Sequence, residues 1–220
     1  MITATEDKTF VYTTAIRKLR GMRKRIKIVP GSTSAGKTYG ILPVLIDRAT
    51  RNFGVEISVI SESIPHLRKG AMKDFLKIMK ATGRFNPDGW NQTLLTYTFV
   101  NGSYIEFFSA DQEEKVRGPR RHILYINEAN NIRFETYHQL AIRTSREIWL
   151  DFNPSLRFWV HEELTDDEDA EWLETRAHTA PKLLNCPERT VRGCDGEEAG
   201  LGHDENPITC CPRSTGEGIE

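Results

Sequence analysis

The chain has 220 residues, of which 38% are hydrophobic, and its formal net charge is −1. This length predicts one α/β domain of about 180 residues with an appendage, and the near-neutral charge gives no argument for a nucleic-acid partner. No apolar run approaches the length of a membrane span, and the N-terminus lacks the apolar core of a signal peptide. We therefore expect a soluble intracellular protein without a membrane partner.

The first 25 residues are polar, with a short helix predicted over 13–20. The segment 17–25 holds six lysines and arginines in nine residues. Such a cluster can face phosphate groups, or it can be a solvated approach to the first strand. The sequence favours neither interpretation.

Residues 31–38 read GSTSAGKT and match the pattern G-x-x-x-x-G-K-[ST]. A β-branched run over 26–30 predicts a strand before them, and helical spacing of apolar residues predicts a helix after them that ends near residue 51. Strand, glycine-rich turn and helix form the context of a phosphate-binding loop, although a loop of this composition can also lack a ligand. The residues predicted to bind the nucleotide are Gly31, Ser32, Thr33, Ser34, Ala35, Gly36, Lys37 and Thr38.

Each part of this pattern has its own chemistry. The glycines let backbone N–H groups turn towards phosphate oxygens, and the helix that follows directs its positive N-terminal end at the anion. Lys37 would place an ammonium group beside the β- and γ-phosphates, and Thr38 would offer a hydroxyl to Mg²⁺. The predicted ligands are ATP and Mg²⁺.

The rest of the chain alternates between strand and helix patterns. Strands are predicted over 55–60, 93–99, 104–108, 122–126, 147–152 and 172–177, and helices over 63–80, 134–143 and 158–164. The pair Asn101-Gly102 predicts a tight hairpin between two of these strands, and residues 86–89 predict a turn. The fold class is α/β: a RecA-like P-loop NTPase with a mainly parallel central sheet flanked by helices, an additional strand between the two Walker strands and an inserted β-hairpin.

The apolar run 123–126 ends in Asn127 and Glu128, as expected of the second Walker strand. Asn127 stands where an aspartate is usual, and its amide oxygen could reach Mg²⁺ through water. Glu128 is the candidate general base that orients or deprotonates the attacking water. The alternative is a buried strand with a polar end.

Two further segments supply candidates. Asp151 and Asn153 end the apolar segment 148–152 and are candidate sensors of hydrolysis, although Asn-Pro also makes an ordinary turn. A cation must also meet the transferring phosphoryl group; Arg117 is the first choice, and Arg120 or Arg143 the next. Each of these arginines could instead be a solvated surface residue.

Residues 185–220 differ from the rest. They contain all four cysteines, six glycines and no aromatic residue, so we expect an irregular or disordered tail after a domain over 1–184. The cysteine pattern does not indicate a disulfide framework. A zinc site with His203 is a weaker alternative, because no C-x-x-C pair occurs.

Four segments together resemble the large terminase subunits of tailed bacteriophages: GSTSAGKT, KVRG, ILYINEAN and IWLDFNP. The resemblance covers about residues 10–180 and points to a branch with Asn-Glu in the second Walker motif. It implies a motor that couples ATP hydrolysis to translocation of double-stranded DNA into a procapsid. Glu128 is then the base, Arg117 belongs to a conformationally sensitive Arg-Gly element, and Asp151 and Asn153 couple hydrolysis to movement.

The same resemblance implies the partners: a small terminase subunit, a portal protein, further copies in a ring, and DNA contacted on its backbone, in the cytoplasm of a bacterial host. Family members continue into a nuclease domain that we do not expect in this chain, so no nuclease activity is expected. A truncated or frameshifted gene would explain this difference and the unusual tail. The alternatives are another P-loop nucleic-acid motor, such as a helicase, and an inactive prophage remnant that only binds nucleotide.

Overall fold

A computed structural model of the chain describes residues 13–32 and 35–175. Within these residues the helices are α1 (Thr14–Gly21), α2 (Lys37–Arg51), α3 (Ile64–Lys69), α4 (Ala71–Ala81), α5 (Glu113–Val116), α6 (Phe134–Ala141) and α7 (Trp159–Glu163). The strands are β1 (Ile26–Pro30), β2 (Glu56–Ser61), β3 (Trp90–Asn91), β4 (Thr96–Thr98), β5 (Tyr104–Ser109), β6 (Arg121–Ile126), β7 (Thr144–Phe152) and β8 (Ala170–Trp172). The predictions for Thr33, Ser34, residues 176–177 and the tail over 185–220 lie outside the described residues.

The described strands form one sheet in the order β3-β4-β5-β2-β6-β7-β1-β8. All neighbours from β5 to β8 are parallel, whereas β3, β4 and β5 pair antiparallel at one edge. The mainly parallel sheet with an inserted hairpin is therefore confirmed. The additional strand is also confirmed, because β7 lies between β1 and β6.

Helices cover both faces of the sheet, and side chains alternate between them along each strand. Tyr125 and Trp149 point to the face that packs against α1, α2 and α4. Leu124 and Leu150 point to the opposite face, which packs against α6 and α7. Odd-numbered residues near the carboxyl ends of β6 and β7 therefore lie on the side of α2, the helix that follows the glycine-rich loop.

The predicted single helix over 63–80 is wrong, because Gly70 interrupts it with φ −105° and ψ −114°. The Gly70 N–H donates to the His66 carbonyl at 2.8 Å and closes α3. The Gly70 carbonyl accepts from the Asp74 N–H at 3.0 Å and opens α4. A Cβ at residue 70 would lie 3.1 Å from the His66 carbonyl oxygen, so glycine suits the break better than a residue with a side chain.

The predicted hairpin at Asn101-Gly102 is confirmed, but its loop has three residues rather than two. The Phe99 N–H donates to the Ser103 carbonyl at 2.8 Å, and Gly102 takes φ +78°. A three-residue loop with glycine in the left-handed region is a common hairpin connection.

Three strands differ from the prediction by two residues or more, and one of them is β7, which begins at Thr144 rather than at residue 147. The strand predicted over 93–99 covers only Thr96–Thr98, because the Asn91 side chain accepts the N–H groups of Thr93 and Leu94 and holds a turn there. The last strand begins at Ala170 rather than at residue 172 and ends at Trp172.

Two of the six cations in the basic segment 17–25 make contacts within the folded domain. Arg20 forms an ion pair with Asp47 at 3.2 Å, and Arg25 donates to the carbonyls of Ala141 and Thr144. The other four cations of the segment are exposed, so both interpretations stay open for them. None of the described helices is long and apolar enough to cross a membrane.

Candidate active site

Three neighbouring parallel strands bring the candidate residues to one edge of the sheet. In β7, Asp151 pairs with Val29 of β1, and Leu150 pairs with Ile126 of β6. The residues that follow β1 and β6 therefore emerge beside the end of β7. The carboxyl edge of a parallel sheet is where ligands usually bind, because the strand ends and the helix N-termini meet there.

The ammonium group of Lys37 is folded back against the loop that precedes it. Its Nζ donates to the carbonyls of Gly31 at 2.8 Å and Ser32 at 3.1 Å, and to Oδ1 of Asn153 at 2.7 Å. Burial lowers the pKa of Lys37, while the charges of Asp151 and Glu128 act in the opposite direction. Lys37 is thus tied to the end of β7 as well as to its own loop.

A second set of contacts links the ends of β6 and β7. The Asn127 side-chain amide donates to Asp151 Oδ1 at 3.1 Å and lies 3.4 Å from Thr38 Oγ1. The Glu128 N–H donates to the same Asp151 oxygen at 2.9 Å. Burial raises the pKa of Asp151 to about 6. The hydrogen bonds from Glu128 and Asn127 and the charge of Lys37 act to lower the same pKa, but their effect is smaller.

Glu128 points away from this buried cluster. Its backbone is left-handed, with φ +59°, which is uncommon for a residue other than glycine and turns the chain sharply after β6. Its Oε2 lies 3.6 Å from Nδ1 of His66 and accepts from the Asn131 amide at 3.3 Å. The side chain is 39% exposed, so water reaches the carboxylate that was predicted to act as base.

These groups share one cavity of about 300 Å³. Its lining residues are Gly36, Lys37, Thr38, Tyr39, Asp74, Asn127, Glu128, Asp151 and Asn153. The structure therefore brings the predicted residues at the ends of β6 and β7 together with the last three residues of the glycine-rich loop, whereas the described loop residues Gly31, Ser32 and Ala35 do not line this cavity. A phosphate chain beside Lys37 would lie within the same space as the Glu128 carboxylate.

The predicted arginines lie elsewhere. Arg117 is largely exposed and forms an ion pair with Glu113 at 3.7 Å. It lines a different cavity of about 560 Å³, and Arg143 donates to Gln139. No arginine of the described residues lines the cavity of Lys37. The role of Arg117, and those of Arg120 and Arg143 as alternatives, stay predictions.

Several residues of the site were not predicted. Tyr39 and Asp74 line the cavity, Tyr125 is buried beneath Asn127, and His66 approaches Glu128. Burial raises the pKa of the Tyr125 hydroxyl well above its usual range. Tyr39 directly follows the predicted loop, and Tyr125 lies within the predicted strand before Asn127. His66 and Asp74 come from α3 and α4, and no local sequence signal places those helices at this edge.

A lysine beneath a glycine-rich loop, a hydroxyl at the start of the next helix and a polar strand end in one cavity define a P-loop NTPase site. The sequence model of the family described as phage terminase large subunit matches residues 23–182. The match covers most of the chain, which therefore belongs to this family. No protein with a curated description matches the sequence significantly.

Solved structures agree in fold. The large terminase of the thermophilic bacteriophage D6E has 16% identity and a TM-score of 0.67, over 78% of this chain and 47% of that one. The same protein in complex with ATP-γ-S gives a TM-score of 0.63, at 16% identity, over 77% and 46%. The large terminase ATPase domain of Thermus phage P74-26 gives 0.61, at 12% identity, over 75% and 81%. The chain thus spans about half the length of the D6E protein.

The close approach of Gly31 to Thr175 generates a stability prediction. A methyl group at residue 31 would overlap the hydroxyl and carbonyl oxygens of Thr175 and meet Lys37 Cδ at 3.2 Å. We expect Gly31→Ala to lower the free energy of unfolding by about 1–3 kcal/mol, because the β1 end and Lys37 must shift. Chemical denaturation measures it.

The matched control is Gly21→Ala at the end of α1, where an added methyl group meets nothing within 4 Å. This variant should be as stable as the parent or slightly more stable. Equal stability of both variants and the parent would contradict the described packing of Gly31.

Proposed function

We propose that this chain is the ATP-hydrolysing motor domain of a phage DNA-packaging terminase, which couples hydrolysis to the translocation of double-stranded DNA into a procapsid. One observation carries the proposal: a chain of the terminase large subunit family gathers Lys37, Thr38, Asn127 and Glu128 around one cavity. The complexes of the D6E protein with ATP-γ-S and with ADP support a nucleotide ligand. The ATPase domain in this proposal comprises residues 1–184.

Lys37 and the loop would bind the triphosphate. The Lys37 ammonium now satisfies loop carbonyls and Asn153, and phosphate oxygens would take over part of these hydrogen bonds. Backbone N–H groups of 31–38 would hold the phosphates, aided by the N-terminus of α2. ATP binding would therefore loosen the link between Lys37 and the end of β7, which assigns Asn153 and Asp151 to the coupling of nucleotide state to movement.

Mg²⁺ fits the residues at the start of α2. Thr38 offers a hydroxyl, the Asn127 amide nitrogen lies 3.4 Å from it, and the Asn127 amide oxygen would act through a bound water. The described residues contain no cluster of three His, Cys, Asp or Glu residues that could hold a metal alone, which suits an ion that takes most ligands from phosphate and water. The bound ion neutralises charge on the β- and γ-phosphates.

Glu128 would orient and deprotonate the attacking water. It lines the cavity, is accessible to water, and is held through one oxygen by Asn131, which leaves the other oxygen for a water molecule. A general base contributes about 10²–10⁴-fold to such a reaction. Its carboxylate is positioned by the left-handed turn after β6 rather than by a buried partner.

Arg117 would supply positive charge to the transferring phosphoryl group, in its own copy or in a neighbouring one. It would first have to leave Glu113, and an exposed ion pair of this kind costs little to break. The working assembly in this proposal is a ring of copies on a portal protein, with a small terminase subunit, in the host cytoplasm. DNA would be contacted on its phosphate backbone, because a motor must be indifferent to sequence.

Two variants separate binding from chemistry. Glu128→Gln should bind ATP as the parent does and lose about 10²–10⁴-fold in kcat, because the amide cannot accept a proton. Lys37→Ala should lose both binding and turnover, because the main cation of the site is removed. Fluorescence titration measures the binding of ATP, and the rate of phosphate release measures kcat.

Glu114→Gln and Lys69→Ala are the controls, since both side chains are exposed and outside the cavity. Unchanged turnover in Lys37→Ala, or equal loss of binding and turnover in Glu128→Gln, would show that the assignments are wrong.

The test of the motor function is the response of ATP hydrolysis to DNA. We expect double-stranded DNA to increase turnover irrespective of sequence, with an effect that weakens as salt rises, because the contacts are to phosphates. Strand unwinding would favour a helicase instead. ATP binding without any hydrolysis, with or without DNA, would favour a protein that only binds nucleotide.

A further inference from the structure

The amide of Asn127 leaves the second Walker strand without its usual negative charge. In P-loop ATPases, Mg²⁺ is held by the loop Ser or Thr and by an aspartate at this strand end. In this chain the atom that lies 3.4 Å from Thr38 Oγ1 is the side-chain amide nitrogen of Asn127. An amide brings a dipole to the metal side of the site but no charge.

A carboxylate lies one strand away on the same face. Because Ile126 pairs with Leu150 in the parallel ladder between β6 and β7, the next residues in register are Asn127 and Asp151. Both belong to the odd-numbered set that faces α2, and both line the cavity of Thr38. The Asn127 amide contacts both oxygens of Asp151, at 3.1 Å and 3.4 Å.

The Asp151 carboxylate is buried and feels the charge of Lys37 but is not in an ion pair with it. Its side chain is 1% exposed, and no lysine or arginine of the described residues forms an ion pair with it. Its Oδ1 accepts from the Glu128 N–H at 2.9 Å, Oδ2 has a longer contact with the Asn127 amide, and the Tyr125 hydroxyl lies close to the same carboxylate. A buried carboxylate whose hydrogen-bond partners are all neutral is costly unless a cation comes to it.

The other two carboxylates that line the cavity are already engaged. Glu128 turns one oxygen towards His66 and Asn131, and its other oxygen is assigned to the attacking water in the proposed function. Asp74 lies near the Tyr39 hydroxyl and the charges of Lys77 and Lys73. Among the described residues, Asp151 is therefore the carboxylate left to face a cation between Thr38 and the strand ends.

We infer that Asp151 supplies the metal-side negative charge of this site, moved by one strand from β6 to β7, and that Asn127 positions it through the amide hydrogen bonds. The inference rests on the proposed binding of Mg²⁺ and ATP. It assigns to Asp151 a direct electrostatic role towards the ion in addition to a coupling role. The site then keeps the negative charge that asparagine removes from the end of β6, because Asp151 provides that charge at the end of β7.

Exchanging the two side chains tests the inference. In the full 220-residue chain, binding of a methylanthraniloyl derivative of ATP is titrated with Mg²⁺, starting from EDTA, and the Mg²⁺ midpoint is recorded. We expect Asp151→Asn to need about 10–100-fold more Mg²⁺. The double variant Asn127→Asp with Asp151→Asn should return most of the way to the parent midpoint. Asp166→Asn, which removes an exposed carboxylate, should leave it unchanged.

An Asp151→Asn variant with the parent midpoint would overturn the inference. So would a double variant that needs as much Mg²⁺ as Asp151→Asn alone. Thermal unfolding followed by circular dichroism identifies a variant that fails to fold. If Asp151→Asn fails to fold, the Mg²⁺ midpoint of the double variant is compared with that of the parent instead. A parent protein that binds the ATP derivative at no Mg²⁺ concentration would instead refute the proposed function.

Discussion

The site depends on the parallel pairing of β7 between β1 and β6. The β1 ladder places Asn153 within 2.7 Å of the Lys37 ammonium. The β6 ladder places Asp151 beside Asn127 and the Glu128 N–H. Without β7 in this position, no polar side chains would lie between the glycine-rich loop and the second Walker strand. We call the polar end of β7, Asp151 and Asn153, the boundary between them.

Two buried charges lie at this boundary. Lys37 is satisfied by neutral carbonyl and amide oxygens, and Asp151 by neutral N–H groups, so neither charge is cancelled by an ion pair with the other. Each is therefore ready for a charged ligand: phosphate for the lysine and, in our inference, Mg²⁺ for the aspartate. Such preorganisation reduces the rearrangement needed when ATP binds.

The proposed link from nucleotide to movement rests on the same contacts. Asn153 ends β7 and accepts a hydrogen bond from Lys37, so a phosphate that recruits Lys37 changes what holds the end of β7. Residues 154–158 continue directly from this end towards α7, where Phe158 packs edge-on against Phe152. In the proposed function, the state of the phosphate site would be transmitted in this way to the segment after β7.

The sequence predicts this site well where the signals are local. The loop over 31–38, the polar end of β6 and the Asp-Phe-Asn end of β7 are each contained in one segment, and their convergence follows from the rules of parallel sheets. His66 and Asp74 escaped prediction because their position depends on the break at Gly70 and on packing between distant segments. The role inferred for Asp151 depends on strand register and burial, which no motif reports.

A structure of the chain with ATP-γ-S and Mn²⁺ in place of Mg²⁺ tests the central claim most directly, because the anomalous signal of Mn²⁺ locates the ion. The account predicts phosphates cradled by 31–38 and contacted by Lys37. It also predicts Mn²⁺ at the Thr38 hydroxyl, with Asp151 in its first or water-mediated shell. Nucleotide bound elsewhere, or an ion at Thr38 with Asp151 outside both its first and its water-mediated shell, would contradict it.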